Sequence, residues 1–509
     1  MLADSKNLFD YLSDTSSCDF SSAMENLMHK DTRLTIISNR APFQLKRKAG
    51  KIYYDKNVGG LVSVLDEIMC QGGGTWIAWG ESEDTPSRVG IPLDDPKYFM
   101  RLVDLTDLEV RNYYQGFSNR VMWPLCHYFL DRCHFRSEYW KAYRGVNEKF
   151  ARAFDMVSQG QDNIWIHDFH LTLLPSLLRE RHRDLSIGFF WHIPFPSSPV
   201  FRVLPWRKEV LRGLLGCDLI GFQLRQHADN FLQSVADVFK IPVDLERSSV
   251  EFEDRVIKVG VFPVGIDYKK WNDLATSPGN IEKARQIRRE VGAEHILIGV
   301  DRLDYTKGIR ERLRAYEHFL EKYPEYHGRI CMVQIAVPSR TRVEEYRILR
   351  REIDETVGRI SGRFSTRKWV PLRYLYKTFP MEELVNYYAA ADTAMVTPLR
   401  DGMNLVAEEY AASRIREDGC LILSEFAGAS GILGDAVIVN PYDIDDVTES
   451  IHLSLTMKEG EKRSRMQRLR QAVKRKDVYW WCQTFLSTLM DVNSKDPYQE
   501  SLFPTSKVL

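Results

Sequence analysis

HILIGVDRLDYTKGIRERLRAYEHFLEKYPEY, residues 295–326, is the stretch whose reading decides the fold. His295–Val300 is a short apolar run of strand length, with no polar alternation, as expected of a strand buried on both faces. From Ile309 onward the apolar residues return at helical spacing. The eight residues between, DRLDYTKG, form the turn from a buried strand into an amphipathic helix, which is the unit of a parallel α/β sheet.

The same rhythm runs in both directions from this point. On the N-terminal side stand RLTIIS (33–38), TWIAWG (75–80), NIWIHD (163–168), SIGFFWHI (186–193), LIGFQ (219–223) and VIKVGVFPV (256–264). Helical patterns such as YWKAYRGVNEKFARAFDMV separate several of them. Downstream come RICMVQIAV (329–337), TAMVTP (393–398), CLILSEF (420–426) and AVIVNP (436–441). The expected fold is α/β, with two Rossmann-like, doubly wound parallel-sheet lobes and the active site in the cleft between them. The polar segment DYKKWNDLATSPGN (267–280) is expected to be the linker, with a boundary near Ile266.

Bulk properties narrow the function. A chain of 509 residues is long enough for two cores. Lys plus Arg and Asp plus Glu each number 70, so no single-sign field recommends nucleic acid or an anionic membrane. The eight scattered cysteines form no CxxC, which suits reduced thiols in a cytoplasmic protein. The N-terminus lacks the basic and apolar regions of a leader, so a soluble cytoplasmic enzyme is expected, with small-molecule substrates and no nucleic-acid or membrane partner. Residues 1–30 read as a polar extension.

Chemistry-bearing residues gather at the strand exits. In DRLDYTKG, Arg302, Lys307 and helix-start amides together suit a diphosphate, since a cation in a first helical turn opposes the helix dipole unless an anion sits there too. The plain alternative is a strand-to-helix turn with Asp304 as cap and Lys307 in solvent. In PLRDGMNLVAEEY (398–410), Asp401, Gly402 and the amides of Met403 and Asn404 suit sugar hydroxyls. Leu405 and Glu409 share a helix face, from which a carboxylate could accept both hydroxyls of a ribose. His192, in WHIPFP, is either a satisfied core histidine or a sugar-binding group. His167 and Asp168, in HDFH, point opposite ways at a strand end and do not make a metal site. Asp443 and Asp445, in YDIDDV, are read as helix caps rather than as a metal-binding DxD. Arg40 ends the first strand, and the glycines of VGGLV (58–62) permit close backbone approach or simply turn the chain into a helix. NYYQGFSNRVMWP (112–124) is mostly core, with Tyr114 and Trp123 able to face a sugar.

Taken in order, SNR, VGGL, YYQGFSN with MWP, WIHDFHL, HIPFP, RLDYTKG, the Arg of PSR, TPLRDGMNLVAEEY, LSEFAGAS and VNPYD resemble the trehalose-6-phosphate synthase family of retaining glycosyltransferases, over residues 33 to about 490. That resemblance implies the GT-B fold, with an acceptor lobe over 31–266, a donor-nucleotide lobe over 267–475, a helix over 476–495 that crosses back to the first lobe, and a tail over 496–509. It implies that Arg302 and Lys307 bind the donor diphosphate, and that Asp401, Gly402, Met403 and Asn404 hold the transferred glucose. Leu405 would lie by the nucleotide, Glu409 on the ribose and Gly60 beside the donor. Asp168 and His192 would touch the reacting sugars, while Arg40, Tyr114, Trp123 and Arg340 would grip glucose 6-phosphate. The donor would be UDP-glucose or another nucleotide-glucose.

No cofactor and no metal is expected, because Arg302, Lys307 and helix amides can themselves stabilise the departing diphosphate. The oligomeric state is compatible with a homo-oligomer, and no phosphatase domain is expected after the synthase region. The neighbouring readings are a glucosylglycerol-phosphate synthase or a pseudo-glycosyltransferase on the same scaffold, and a non-catalytic regulatory subunit. A nicotinamide dehydrogenase is disfavoured because NRAPF, not GxGxxG, follows the first strand.

Overall fold

The computed structural model describes residues 33–48, 51–56, 60–80, 87–158, 160, 162–340 and 343–493. The N-terminal extension, most of the VGG turn and the C-terminal tail lie outside the described residues.

The strands of the first half are β1 (Arg33–Arg40), β2 (Phe43–Lys48), β3 (Lys51–Lys56), β4 (Thr75–Gly80), β5 (Arg88–Ile91), β6 (Tyr98–Asp104), β7 (Asp162–His167), β8 (Ser186–Phe190), β9 (Leu219–Phe222), β10 (Val243–Asp244), β11 (Ser249–Phe252) and β12 (Arg255–Val261). All but the β2–β3 hairpin join one sheet in the order β10-β11-β12-β9-β8-β7-β1-β4-β6-β5. From β12 to β6 every pair is parallel, and antiparallel strands close both edges.

The second half contributes β13 (His295–Arg302), β14 (Ile330–Val337), β15 (Leu372–Leu375), β16 (Thr393–Val396), β17 (Cys420–Ser424) and β18 (Val437–Val439). Their order, β15-β14-β13-β16-β17-β18, is all parallel. This is the doubly wound order of a dinucleotide-binding sheet, and its direction of winding reverses between β13 and β16. In the first sheet the reversal falls between β1 and β7. Both reversals open crevices at strand C-termini, so the exits of β1, β7, β13 and β16 are where ligands are to be sought.

The β2–β3 hairpin, the short edge strands β5, β10 and β11, and β6, β15 and the linker differ from the sequence expectation. The strand β6 is only half buried and carries Arg101 and Asp104, so it lacks a continuous apolar run. The strand β15, LRYL, carries Arg373 and has only Leu372 buried, so it too lacks an apolar run. The expected linker is instead helical. Asp267 accepts from the Lys270 amide at 2.9 Å and caps helix Tyr268–Thr276, while Ser277 caps helix Pro278–Val291. Trp271 and Ala275 of this polar-looking stretch are buried. Cap residues and a solvated helix face gave it the composition of a linker.

The stretch just before Asp267 and the stretch that opens helix Val478–Asn493 touch, because the Val478 amide donates to the Ile266 carbonyl at 3.1 Å. A Cβ on Gly265 would lie 2.2 Å from the Lys476 carbonyl oxygen. Helix Val478–Asn493 then packs beneath the first sheet. Gly188 of β8 and Gly221 of β9 leave the space that Phe485 fills, since a Cβ at either would lie 2.8 Å from its ring. Burying that one ring is worth about 1.5–3 kcal/mol. Cys126, Cys217, Cys331, Cys420 and Cys482 are buried free thiols.

Candidate active site

At the exit of β13 the geometry answers what DRLDYTKG is for. Asp304 is buried, and its Oδ1 accepts from the Thr306 amide and hydroxyl at 3.1 Å each, which pins the 3-10 turn Tyr305–Lys307. Its Oδ2 accepts from Arg340 Nη1 and the Tyr346 hydroxyl, both at 3.0 Å. Burial alone would raise this carboxyl, but the Arg340 and Arg302 guanidiniums hold it below the usual carboxylate range. Gly308 ends the turn at φ +64°, and a Cβ there would lie 2.3 Å from the Thr397 carbonyl oxygen. The helix starts on glycine because the turn is left-handed and lies against the exit of β16.

Lys307 is buried and forms an ion pair with the Asp401 carboxylate, which also accepts from Asn404 Nδ2 at 3.0 Å. The Leu399 amide donates to the Thr306 carbonyl at 2.8 Å, so the two loops flanking the β13/β16 crevice are joined. Beneath both lies Arg312, 1% exposed. It ion-pairs with Asp301 and donates to Thr397 Oγ1 at 3.0 Å, Gln334 Oε1 at 3.1 Å and the Lys307 carbonyl at 3.3 Å. The space for it comes from Gly299, where a Cβ would lie 2.6 Å from Arg312 Nη1.

The lobes meet at Gly402. A Cβ on this residue would lie 2.2 Å from the His192 carbonyl oxygen, so only glycine lets the second lobe reach the exit of β8. His192 Nε2 is 3.1 Å from His167 Nδ1, at the end of β7. Burial holds both imidazoles neutral, with His192 lowered to about 4 and His167 well below its ordinary value. Asp168 has φ +75° and ψ 161°, a conformation that costs a non-glycine residue about 1–3 kcal/mol and concentrates at functional sites. Its amide is fixed to the Phe190 carbonyl at 2.8 Å. Burial would raise its carboxyl, but His170, His192 and the Phe169 amide lower it and keep it ionised.

Cations from both lobes converge on one aromatic pair. Arg40 donates to the Tyr114 hydroxyl at 2.9 Å. Burial would push that phenol up, but Arg40 and Arg340, one from each lobe, hold it below its ordinary value. The Arg340 guanidinium lies 4.3 Å from the Trp123 ring centroid and that of Arg302 lies 5.6 Å away. Tyr114 belongs to the π-helix Val110–Met122, whose wider turn buries Tyr113 and Phe117 while Tyr114 stays half-buried; Trp123 follows directly. The Trp123 indole N–H is buried and has no acceptor among the described residues.

The structure thus brings together Arg40, Tyr114, Trp123, Arg302 and Arg340 in one group, and Asp168, His192, Lys307, Asp401, Gly402, Met403 and Asn404 around the lobe contact. Leu405 packs against apolar residues of both lobes. Glu409 lies one turn further along helix Leu405–Ser413, where Oε2 accepts from the Tyr388 hydroxyl at 2.9 Å and burial raises its carboxyl to about 7. Gly60 opens helix Gly60–Gly72. Asp443 caps helix Ile444–Thr456 through the Asp446 amide at 3.0 Å. Among the described residues no group of three His, Cys, Asp or Glu is arranged to hold a metal ion, and no helix is long and apolar enough to cross a membrane. Sequence reasoning missed Arg312, whose signal was an arginine on the same helix face as Ile309 and Tyr316, and the contact between His167 and His192.

Two doubly wound lobes facing one another across a cleft, with cations at the strand exits of each, are the architecture of the GT-B class of glycosyltransferases. The sequence profile of glycosyltransferase family 20 matches residues 32–491, and the chain belongs to that family. It is 40% identical to the UDP-forming alpha,alpha-trehalose-phosphate synthase of Schizosaccharomyces pombe, over 90% of this chain and 91% of that one. A solved structure described as trehalose-6-phosphate from E. coli bound with UDP-2-fluoro glucose superposes with a TM-score of 0.83 at 35% identity, covering 91% of this chain and 99% of that one. The alpha,alpha-trehalose-phosphate synthase of Burkholderia xenovorans in complex with glucose-6-phosphate gives 0.82 at 31% identity, covering 90% of this chain and all of that one.

Proposed function

We propose that the chain is an alpha,alpha-trehalose-phosphate synthase, a retaining glycosyltransferase that moves glucose from UDP-glucose to glucose 6-phosphate and releases UDP and trehalose 6-phosphate. The observation that carries this reading is the meeting of Arg40 with Arg340 across Tyr114, separate from Lys307 and Asp401. One cleft then has a cationic group for the phosphate of an acceptor and another for the diphosphate of a donor.

In this reading Lys307 neutralises the departing diphosphate, and Arg302 joins it from beside Trp123, at the border of the acceptor group. Asp401 and the amides of Gly402, Met403 and Asn404 hold the glucose, Leu405 lies along the nucleotide, Glu409 accepts from the ribose, and Gly60 approaches the donor. Asp168 and His192 border the reacting sugars. Arg40, Tyr114, Arg340 and the unpaired Trp123 N–H hold the acceptor phosphate. The charge that stabilises the leaving group comes from the chain's own cations, so the reading assigns no metal. With the lobes in contact at Gly402 and His192, water is excluded and the acceptor hydroxyl attacks from the face the diphosphate leaves. The proton passes to a leaving-group oxygen. A cytoplasmic location and action on small molecules alone complete the reading.

The test is a matrix of UDP-, GDP- and ADP-glucose against glucose 6-phosphate and glycerol 3-phosphate, read as nucleoside diphosphate release and by the anomeric configuration of the product. UDP release with glucose 6-phosphate alone is expected. No release with any donor in the presence of glucose 6-phosphate would sink the assignment.

A further inference from the structure

His192 touches a second histidine that the substrate roles above do not use. His167 ends β7 and is 4% exposed. Its Nδ1 lies 3.1 Å from His192 Nε2. Its other nitrogen, Nε2, is buried and has no hydrogen-bond partner among the described residues. The ring lies among aromatics: the Trp165 centroid is 4.6 Å away, and that of Trp481, from helix Val478–Asn493, is 6.2 Å away. Trp481 is itself held by Phe190, edge-on at 5.0 Å, and by Trp165 at 4.9 Å. Helix Val478–Asn493 therefore forms the wall behind the reaction centre.

With both rings neutral, the Nδ1 to Nε2 contact contains a single proton, and each imidazole carries one. If His192 were the donor, the proton of His167 would sit on Nε2, inside an aromatic wall with nothing to accept it. An unpaired buried N–H is disfavoured more than an unpaired acceptor. The proton of the contact is therefore on His167 Nδ1, and that of His192 is on its own Nδ1.

We infer that His167 is a positioning residue that fixes His192 as the Nδ1–H tautomer, so that His192 meets the donor sugar as a hydrogen-bond donor and not as a base. The inference rests on the reading that His192 borders the donor sugar. It makes the aromatic wall part of the mechanism, since removing Trp481 would admit water to His167 Nε2 and release the tautomer. The group recognised is a sugar hydroxyl oxygen, which can accept from Nδ1–H, and an ammonium or amide N–H in its place is refused.

Long-range ¹H–¹⁵N correlation spectra of the full chain, assigned with His167→Asn and His192→Phe, test the tautomer directly. His192 protonated on Nδ1 is expected; His192 protonated on Nε2 overturns the inference. In steady-state assays His167→Phe is expected to lower kcat/KM for the nucleotide-glucose by about 30-fold while the KM for glucose 6-phosphate moves less than about twofold. His167→Asn, whose amide can replace Nδ1–H, is expected to recover most of that loss. Equal loss in both variants would mean that only the shape of the ring matters and would overturn the proposal. Should neither variant fold, the tautomer in the unaltered chain still decides it. An unchanged donor kcat/KM in His192→Phe would instead refute the assignment of His192, which is a different failure.

Discussion

Replacing Arg312 with Met should separate stability from catalysis in a way that tests how the donor side is built. Arg312 is 1% exposed and compensates Asp301, which is itself only 4% exposed. Burial already raises the Asp301 carboxyl, and Arg312 is the main influence opposing that rise. Removing one partner of a buried pair costs about 3–5 kcal/mol, because the remaining charge has no counterion. Spread over one lobe, that loss lowers the unfolding midpoint by about 10 °C. Adding Asp301→Asn removes the uncompensated charge, so the double variant should regain more than half of the lost midpoint. Activity should behave differently. Arg312 also holds the Lys307 carbonyl at 3.3 Å and Thr397 Oγ1 at 3.0 Å, and neither contact returns in the double variant. With both loops released, a displacement of about 1 Å costs about 100-fold in turnover. Differential scanning calorimetry and UDP release on the same preparations give both numbers. A double variant that recovers turnover together with its midpoint would refute the claim that Arg312 aims the loops. So would an Arg312→Met midpoint within about 2 °C of the parent.

Lys307→Ala should lower kcat at least about tenfold, equivalent to about 1.4 kcal/mol of leaving-group stabilisation, and UDP release under saturating substrates checks it. Gly402→Ala places a Cβ 2.2 Å from the His192 carbonyl oxygen and forces the lobe contact apart, so kcat/KM should fall by about 100-fold and the midpoint of unfolding should fall with it. Trp123→Phe keeps the ring but removes the unpaired N–H, and should raise the KM for glucose 6-phosphate about fivefold with the donor KM unchanged. Glu409 is raised to about 7 from 4.5 by burial, so between these values the folded state binds more protons than the unfolded one. Stability therefore falls as pH rises through that window, by about 3 kcal/mol in all, and Glu409→Gln should flatten the profile. Donor affinity should run the opposite way, improving as pH rises through about 7 and the carboxylate ionises to accept the ribose hydroxyls. A donor KM that is flat from pH 6 to pH 8 would remove Glu409 from the ribose.

Legibility from sequence followed burial. Strands β1, β4, β7, β8 and β9 of the first sheet, and β13, β14, β16 and β17 of the second, are buried well enough to write continuous apolar runs, while β12 and β18 show as β-branched runs although partly exposed. The exceptions are the short antiparallel edge strands β5, β10 and β11, β6, which is half exposed, and β15, of whose four residues only Leu372 is buried. The site was legible where charge ends an apolar run, as with Arg40, Asp168 and Arg302. It was illegible where a polar residue is buried in a helix face. Arg312 looks solvated within IRERLRAY because sequence does not reveal that Gly299 and Gln334 have made room and an acceptor for it. His167 was read beside Asp168 as a question about metal. Its partner lies 25 residues away, two residues past the end of the neighbouring strand, and parallel pairing of β7 with β8 is what joins them.

The pairing of Lys307 with Asp401 bears on how binding becomes catalysis. In the free site each is the other's counterion, in a place where water is scarce. In the proposed reading a sugar nucleotide brings two negative phosphate groups for Lys307 and several hydroxyls for Asp401, so both partners exchange one interaction for another and neither charge is left bare. Lys307 thus need not be desolvated anew when the donor arrives, since folding has already met that cost. As the glycosidic bond breaks, charge accumulates on the diphosphate, and the attraction to Lys307 grows while that to Asp401 does not. Asp304 extends the same arrangement to the acceptor side, since one carboxylate fixes the turn that carries Lys307 and also holds Arg340. Lys307 and Arg340, the cations this reading gives to the donor and the acceptor, are then referenced to a single buried group, and their separation is set by the fold before either substrate enters.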